Sequence, residues 1–130
     1  MIKVYDDFFS GDTRKEIWDL LLRPKWAPDG GSVNNWFWHM DNLESEEYFS
    51  EYLYEIICDK LDINYKIGRI YANGQSAGQC GNPHTDDGDY TFLYYPNPQW
   101  ELGWQGHLIF SEDENVNDKT QRSMRSGKGQ

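Results

Sequence analysis

Apolar residues recur along this chain with two different periods, and the change falls near Asn64. Before it, Ile17, Leu20 and Leu21 recur at helical spacing, with Ser10 or Asp12 placed to cap the run and Pro24 to end it. Tyr48, Phe49, Tyr52, Leu53, Ile56, Ile57 and Leu61 draw one apolar stripe, so a second helix is expected there. Ser45 reads as its N-cap, and Glu46 and Glu47 suit its first turn. Ile2 to Phe9 reads as a short strand or extended entry, residues 24–35 as a Pro/Gly/Asn loop, and NWFWHM as a strand carrying Trp36, Trp38 and His39.

After Asn64 the period shortens. NYKIGRIYA alternates Tyr65 and Ile67, then Ile70, with polar positions, and predicts a strand. NGQSAGQCGNP is a turn-rich loop, DYTFLYYP a second strand, NPQWELGWQG a loop and GHLIFSE a third strand. Helices first and strands afterwards predict an α+β domain, either a sheet with helices on one side or a small jelly roll.

Composition narrows the classes. The 130 residues suit one domain, and six Trp, nine Tyr and six Phe are too many for a disordered chain. With 22 acidic against 12 basic residues, the net charge of −10 disfavours nucleic acid and anionic lipid as partners. Cys58 and Cys80 stand in no CxxC or Cys/His cluster and are expected as free thiols. MIKVYDDFF lacks the apolar run of a signal peptide, and no segment is long enough to span a bilayer, so a cytoplasmic location is expected. The charge is uneven: Lys119, Arg122, Arg125 and Lys128 are the only charges from 119 on, leaving 8 basic and 22 acidic residues, a balance of −14, before them. A domain over 1–118 and a basic, flexible tail over 119–130 are expected.

Three histidines are available for chemistry, and His84 stands out in H-T-D, a polar turn just ahead of an aromatic strand. In an extended segment residues two apart share a face, which brings an imidazole and a carboxylate together. Such a pair suits Fe(II), Mn(II) or Zn(II), and two histidines with one carboxylate on one face of a metal leave positions open for oxygen chemistry. Alone, the motif reads rather as a metal-free His–Asp hydrogen bond in a loop.

The surroundings add a family pattern. From Arg69 to Asp113 the chain carries Tyr71 ahead of YANGQSAGQCGNP, then H-T-D, then FLYYPNPQW, then GHLIF, with Gln105 where a first glycine would stand. In that order these pieces resemble the Fe(II)- and 2-oxoglutarate-dependent oxygenases of the prolyl-4-hydroxylase-like branch, over about a third of the chain. The resemblance implies a double-stranded β-helix, or jelly roll, over 64–118, with helical support from 1–63. It implies that His84 and Asp86 ligate Fe(II) and that Tyr71 and Tyr95 help hold 2-oxoglutarate; a register slip would exchange Tyr95 with Tyr94. The implied reaction couples decarboxylation of 2-oxoglutarate by dioxygen to hydroxylation of a C–H bond, on a peptidyl or small-molecule substrate.

The pattern also stops short. A second histidine on a late strand and a basic residue after it are not recognisable, and His107 comes too early to match, which leaves an unusual route through His107 or a second chain as other sources of a third ligand. The family pattern is expected to be cut near Asn115, which leaves the jelly roll incomplete and its sheet edges open to a second chain. An alternative is a non-catalytic jelly-roll binding or assembly protein that keeps the fold. A cupin-like metal enzyme would call for more histidines than three.

Overall fold

The computed structural model describes residues 1–30, 36–111 and 124–125. The chain divides into two units, Arg23–Gly81 and a second made of Met1–Leu22 with Asn82–Gln130.

The Arg23–Gly81 unit is built on an antiparallel sheet in the order β1 (Ala27–Gly30), β2 (Trp36–Met40), β3 (Ala72–Gly74). Ala27 pairs with His39, His39 with Asn73 and Met40 with Ala72. Because alternate residues of a strand face opposite ways, Met40 and His39 serve different faces. Met40 is 1% exposed and joins Leu43, Phe49 and Leu53 in the core. At Gly74 a side chain would be tight: a Cβ would lie 3.2 Å from Trp38 Cβ and 3.3 Å from Trp26 Cζ3, so a neighbour would have to give by a few tenths of an ångström.

After β2 the chain turns through a 3-10 segment, Leu43–Ser45, into a π-helix, Tyr48–Leu53, that runs on as α2 (Tyr54–Leu61). The expected second helix is therefore present but begins otherwise. Ser45 does not cap it: its Oγ donates to the Asn42 carbonyl at 2.7 Å, a local bond of the kind by which serine competes with helix formation. Of the apolar stripe, Phe49 and Leu53 are buried while Tyr52 is 45% exposed, a dispersal that follows the wide first turns. Two hydrogen bonds tie the 3-10 turn to the segment before β3, Leu43 N to the Ile70 carbonyl at 3.0 Å and Ile70 N to Glu44 Oε2 at 3.1 Å. Arg23 adds a two-pronged ion pair to Glu46, at 2.6 and 3.1 Å. That guanidinium holds the Glu46 carboxyl below its ordinary value, burial opposing it only in part.

The second unit carries α1 (Gly11–Leu21). Ser10 caps it, its Oγ accepting from Thr13 N at 3.3 Å, and the helix ends ahead of Pro24 as the pattern predicts. Its buried stripe is Thr13, Ile17 and Leu21, and Phe9 joins it at 3% exposure. Phe8, Phe9, Phe92 and Tyr94 pack their rings together, Phe9 meeting Tyr94 edge-on at 4.9 Å. Ile109–Phe110 (β4) pairs antiparallel with Met124–Arg125 (β5).

The strand expectations are met unevenly. NWFWHM forms β2. NYKIGRIYA yields ladder pairing only at its end, in β3, and GHLIFSE only at β4. Ile2 to Phe9 and DYTFLYYP form no regular element. Alternation prepares a segment for a sheet, but a strand exists only where a neighbouring backbone takes its hydrogen bonds. Among the described residues the strands make one three-stranded and one two-stranded sheet, and no jelly roll is drawn by them. In the segment expected as a tail, 119–130, Met124 and Arg125 pair with β4; its other residues, like Asn115, lie outside the described ones.

Candidate functional site

His84 follows Asn82 and Pro83, and Pro83 has no amide hydrogen to offer. The His84 ring folds back so that Nδ1 lies 2.7 Å from the Asn82 carbonyl oxygen. A carbonyl only accepts, so Nδ1 carries the proton and donates. That fixes Nε2 as the second functional atom of the ring, and it lies 3.3 Å from Asp86 Oδ1. The residue-two-apart argument thus holds locally: imidazole and carboxylate share one side of the loop. Both are open to solvent, with side-chain exposures of 72% and 37%.

This geometry has two chemical solutions. In the first, Nε2 is also protonated and makes an ion pair with Asp86. In the second, the ring is neutral and Nε2 presents a lone pair toward a carboxylate oxygen, an arrangement that is repulsive until a cation lies between them. Two neighbouring ligands on an octahedral ion, each about 2.1 Å from it, sit about 3 Å apart. The 3.3 Å separation is close to that bite. Donation from the far ring nitrogen to a backbone carbonyl is also the way metal-ligating histidines are commonly oriented. The donor set therefore fits two positions on a divalent ion such as Fe(II). Among the described residues no third His, Cys, Asp or Glu completes a metal-holding group, and His107 is exposed.

The two tyrosines named for 2-oxoglutarate lie in different units, Tyr71 beside β3 and Tyr95 in the unit that holds His84 and Asp86. Tyr95 is half-buried. Its neighbour Tyr94 belongs to the apolar cluster around Phe9, and burial pushes its hydroxyl up from the ordinary value, with the Arg14 charge pulling the other way. Tyr71 is 36% exposed and lies on the His39 face of the sheet. The His39 ring stacks on it at 6.3 Å and 28°, and the Arg69 guanidinium carbon stands 4.7 Å over its centroid. His39 in turn faces Asp41 Oδ1 at 3.9 Å.

Arg69 and His39 were given no role by sequence reasoning. The signal for Arg69 was present: Arg-Ile-Tyr in an extended segment puts its outer residues on one face. For His39 it was not, because only the β2–β3 register sets it beside Tyr71.

Comparisons with protein-family models, with curated proteins and with solved structures find no match. Among the described residues no helix is long and apolar enough to cross a membrane. Cys58 and Cys80 are not joined in a disulfide.

Proposed function

We propose that the chain is an oxygenase-type domain of the Fe(II)- and 2-oxoglutarate-dependent, prolyl-4-hydroxylase-like kind, with a jelly-roll architecture. The observation that carries this reading is the orientation of His84, its Nδ1 committed to the Asn82 carbonyl and its Nε2 turned to Asp86 at 3.3 Å. His84 and Asp86 would hold the iron, which supplies the capacity to activate dioxygen against a C–H bond. The protein's own share is to orient two ligands, and of the two tyrosines the family pattern names for the 2-oxoglutarate carboxylate, Tyr95 lies in the same unit as His84 and Asp86. The substrate class that goes with this reading is a peptidyl or small-molecule C–H bond, and the setting a cytoplasmic one.

The test is calorimetric titration with Mn(II), and with Fe(II) under anaerobic conditions, each with and without 2-oxoglutarate. Wild-type chain should bind metal more tightly when 2-oxoglutarate is present, and His84→Ala and Asp86→Ala should each lose that binding. Wild-type chain that takes up neither metal would end the oxygenase reading.

The alternative reading is a jelly-roll binding or assembly protein without catalysis. It is favoured by the apolar side chains displayed by one unit, Tyr90 at 71% exposure, Leu102 at 91% and Trp104 at 55%. It requires self-association or partner capture through that surface or a sheet edge, with no dependence on His84.

A further inference from the structure

The loop WELGWQG builds a corner from two indole rings. Trp100 and Trp104 stand on either side of a 3-10 turn, Leu102–Trp104, closed by Trp104 N on the Glu101 carbonyl at 2.9 Å. Their ring centroids lie 5.7 Å apart and their planes meet at 79°. Trp100 Nε1 donates to the Gln105 carbonyl at 3.1 Å, which fixes that ring against its own loop. Gly106 makes room for it, since a Cβ there would lie 2.7 Å from Trp100 Cζ2. Gln105 takes φ 58° and ψ −121°, a region strained for any residue with a Cβ. The backbone is thus bent to set the two rings at a right angle, yet Trp100 is 37% and Trp104 55% exposed.

Charge says what such a corner takes. From Asn82 to Ser111 the chain carries Asp86, Asp87, Asp89 and Glu101 and no lysine or arginine. Glu101, between the two tryptophans, makes no ion pair among the described residues. Indole faces are electron-rich and attract cations. A planar guanidinium would stack on one ring only, and a lysine ammonium is strongly hydrated. A trimethylammonium group is tetrahedral and needs no hydrogen-bond acceptor, so it can touch both faces at once. The corner is open, with Leu102 beside it 91% exposed, and so suits a group carried on a longer chain.

We propose that Trp100 and Trp104 form a cation-binding corner for a trimethyllysine side chain on a basic partner peptide. The proposal does not rest on metal binding by His84 and Asp86.

The experiment is titration of the full chain with a short basic peptide bearing one trimethyllysine, read by tryptophan fluorescence. The same peptide with a neutral tert-butyl group in place of trimethylammonium should bind about threefold to thirtyfold more weakly, the share of a cation–ring contact. Trp104→Ala should abolish that preference while melting at the wild-type temperature, because the side chain is exposed. Trp104→Phe should keep part of the preference, since a smaller ring attracts cations less. Equal binding of the charged and neutral peptides, or an undiminished preference in Trp104→Phe and Trp104→Ala, would overturn the proposal. Choline bound as tightly as the peptide would overturn the peptide as the occupant, and a wild-type chain that binds no trimethyllysine peptide would end the proposal.

Discussion

The sheet face around His39 and Tyr71 and the loop around His84 and Asp86 both display an imidazole beside other polar groups, but they are held by different means. His39 and Tyr71 owe their places to the β2–β3 ladder and to a core beneath it, where Met40 and Leu43 are 1% and 2% exposed. His84 and Asp86 owe theirs to the chain itself, through one ring-to-carbonyl bond spanning two residues. An arrangement held by a core answers to changes far from it in sequence. One held by local bonds answers mainly to changes within the loop.

Mutations can break that contrast. The largest effect is expected at Met40→Ala, which removes a buried side chain from under the sheet and should cost about 2–5 kcal/mol in urea denaturation. The same variant should scatter the His39–Tyr71–Arg69 stack while sparing the His84–Asp86 pair. Equal loss of both, read from histidine NMR resonances, would show that the two regions are not independently held.

Gly106→Ala comes next. At φ +72° a side chain is strained, and a Cβ would lie 2.7 Å from Trp100 Cζ2, so a cost of about 1–3 kcal/mol is expected. The effect should be read as lost Trp100–Trp104 ring contact, now 5.7 Å between centroids, by fluorescence.

Arg23→Ala should cost about 1 kcal/mol, because the ion pair is two-pronged and each side chain is only 26% exposed. The Arg23 hydrogen bond lowers the folded-state value of Glu46 from 4.5. A depressed carboxylate stabilises the fold above its unfolded value, and that contribution is lost as pH falls through the lower folded one. Stability measured from pH 6 downward should therefore fall below about pH 4.5 in wild type, with a shallower fall in Glu46→Gln.

The smallest change in stability is expected at His84→Ala, within about 0.5 kcal/mol, since the side chain is 72% exposed and its bond is local. Its metal-binding effect should be complete. A large stability loss there would mean that the loop is part of a core.

Much of this molecule was legible where local rules apply. Ser10, the Ile17–Leu21 stripe and Pro24 define α1 because capping, period and a missing amide all act within a few residues. The His84–Asp86 pair was legible for the same reason, as a two-residue spacing in a short loop. Ser45 was misleading because a serine can satisfy its hydroxyl either as a cap or on a nearby carbonyl, and the 3-10 turn at Leu43 decided for the second. The strand patterns at 64–72 and 89–96 were silent on pairing: the first is a strand only from Ala72 on, and the second forms no regular element.

By itself, then, the sequence determined the first helix, the alternating segments and the pairing of His84 with Asp86. Each depends on contacts between residues close along the chain. Only the tertiary structure decided which alternating segments became strands, that Met40 lies in the core while His39 faces away, and that Arg69 and His39 meet at Tyr71. Those outcomes depend on which backbone supplies the next hydrogen bonds and in what register, and a one-residue shift would exchange every face.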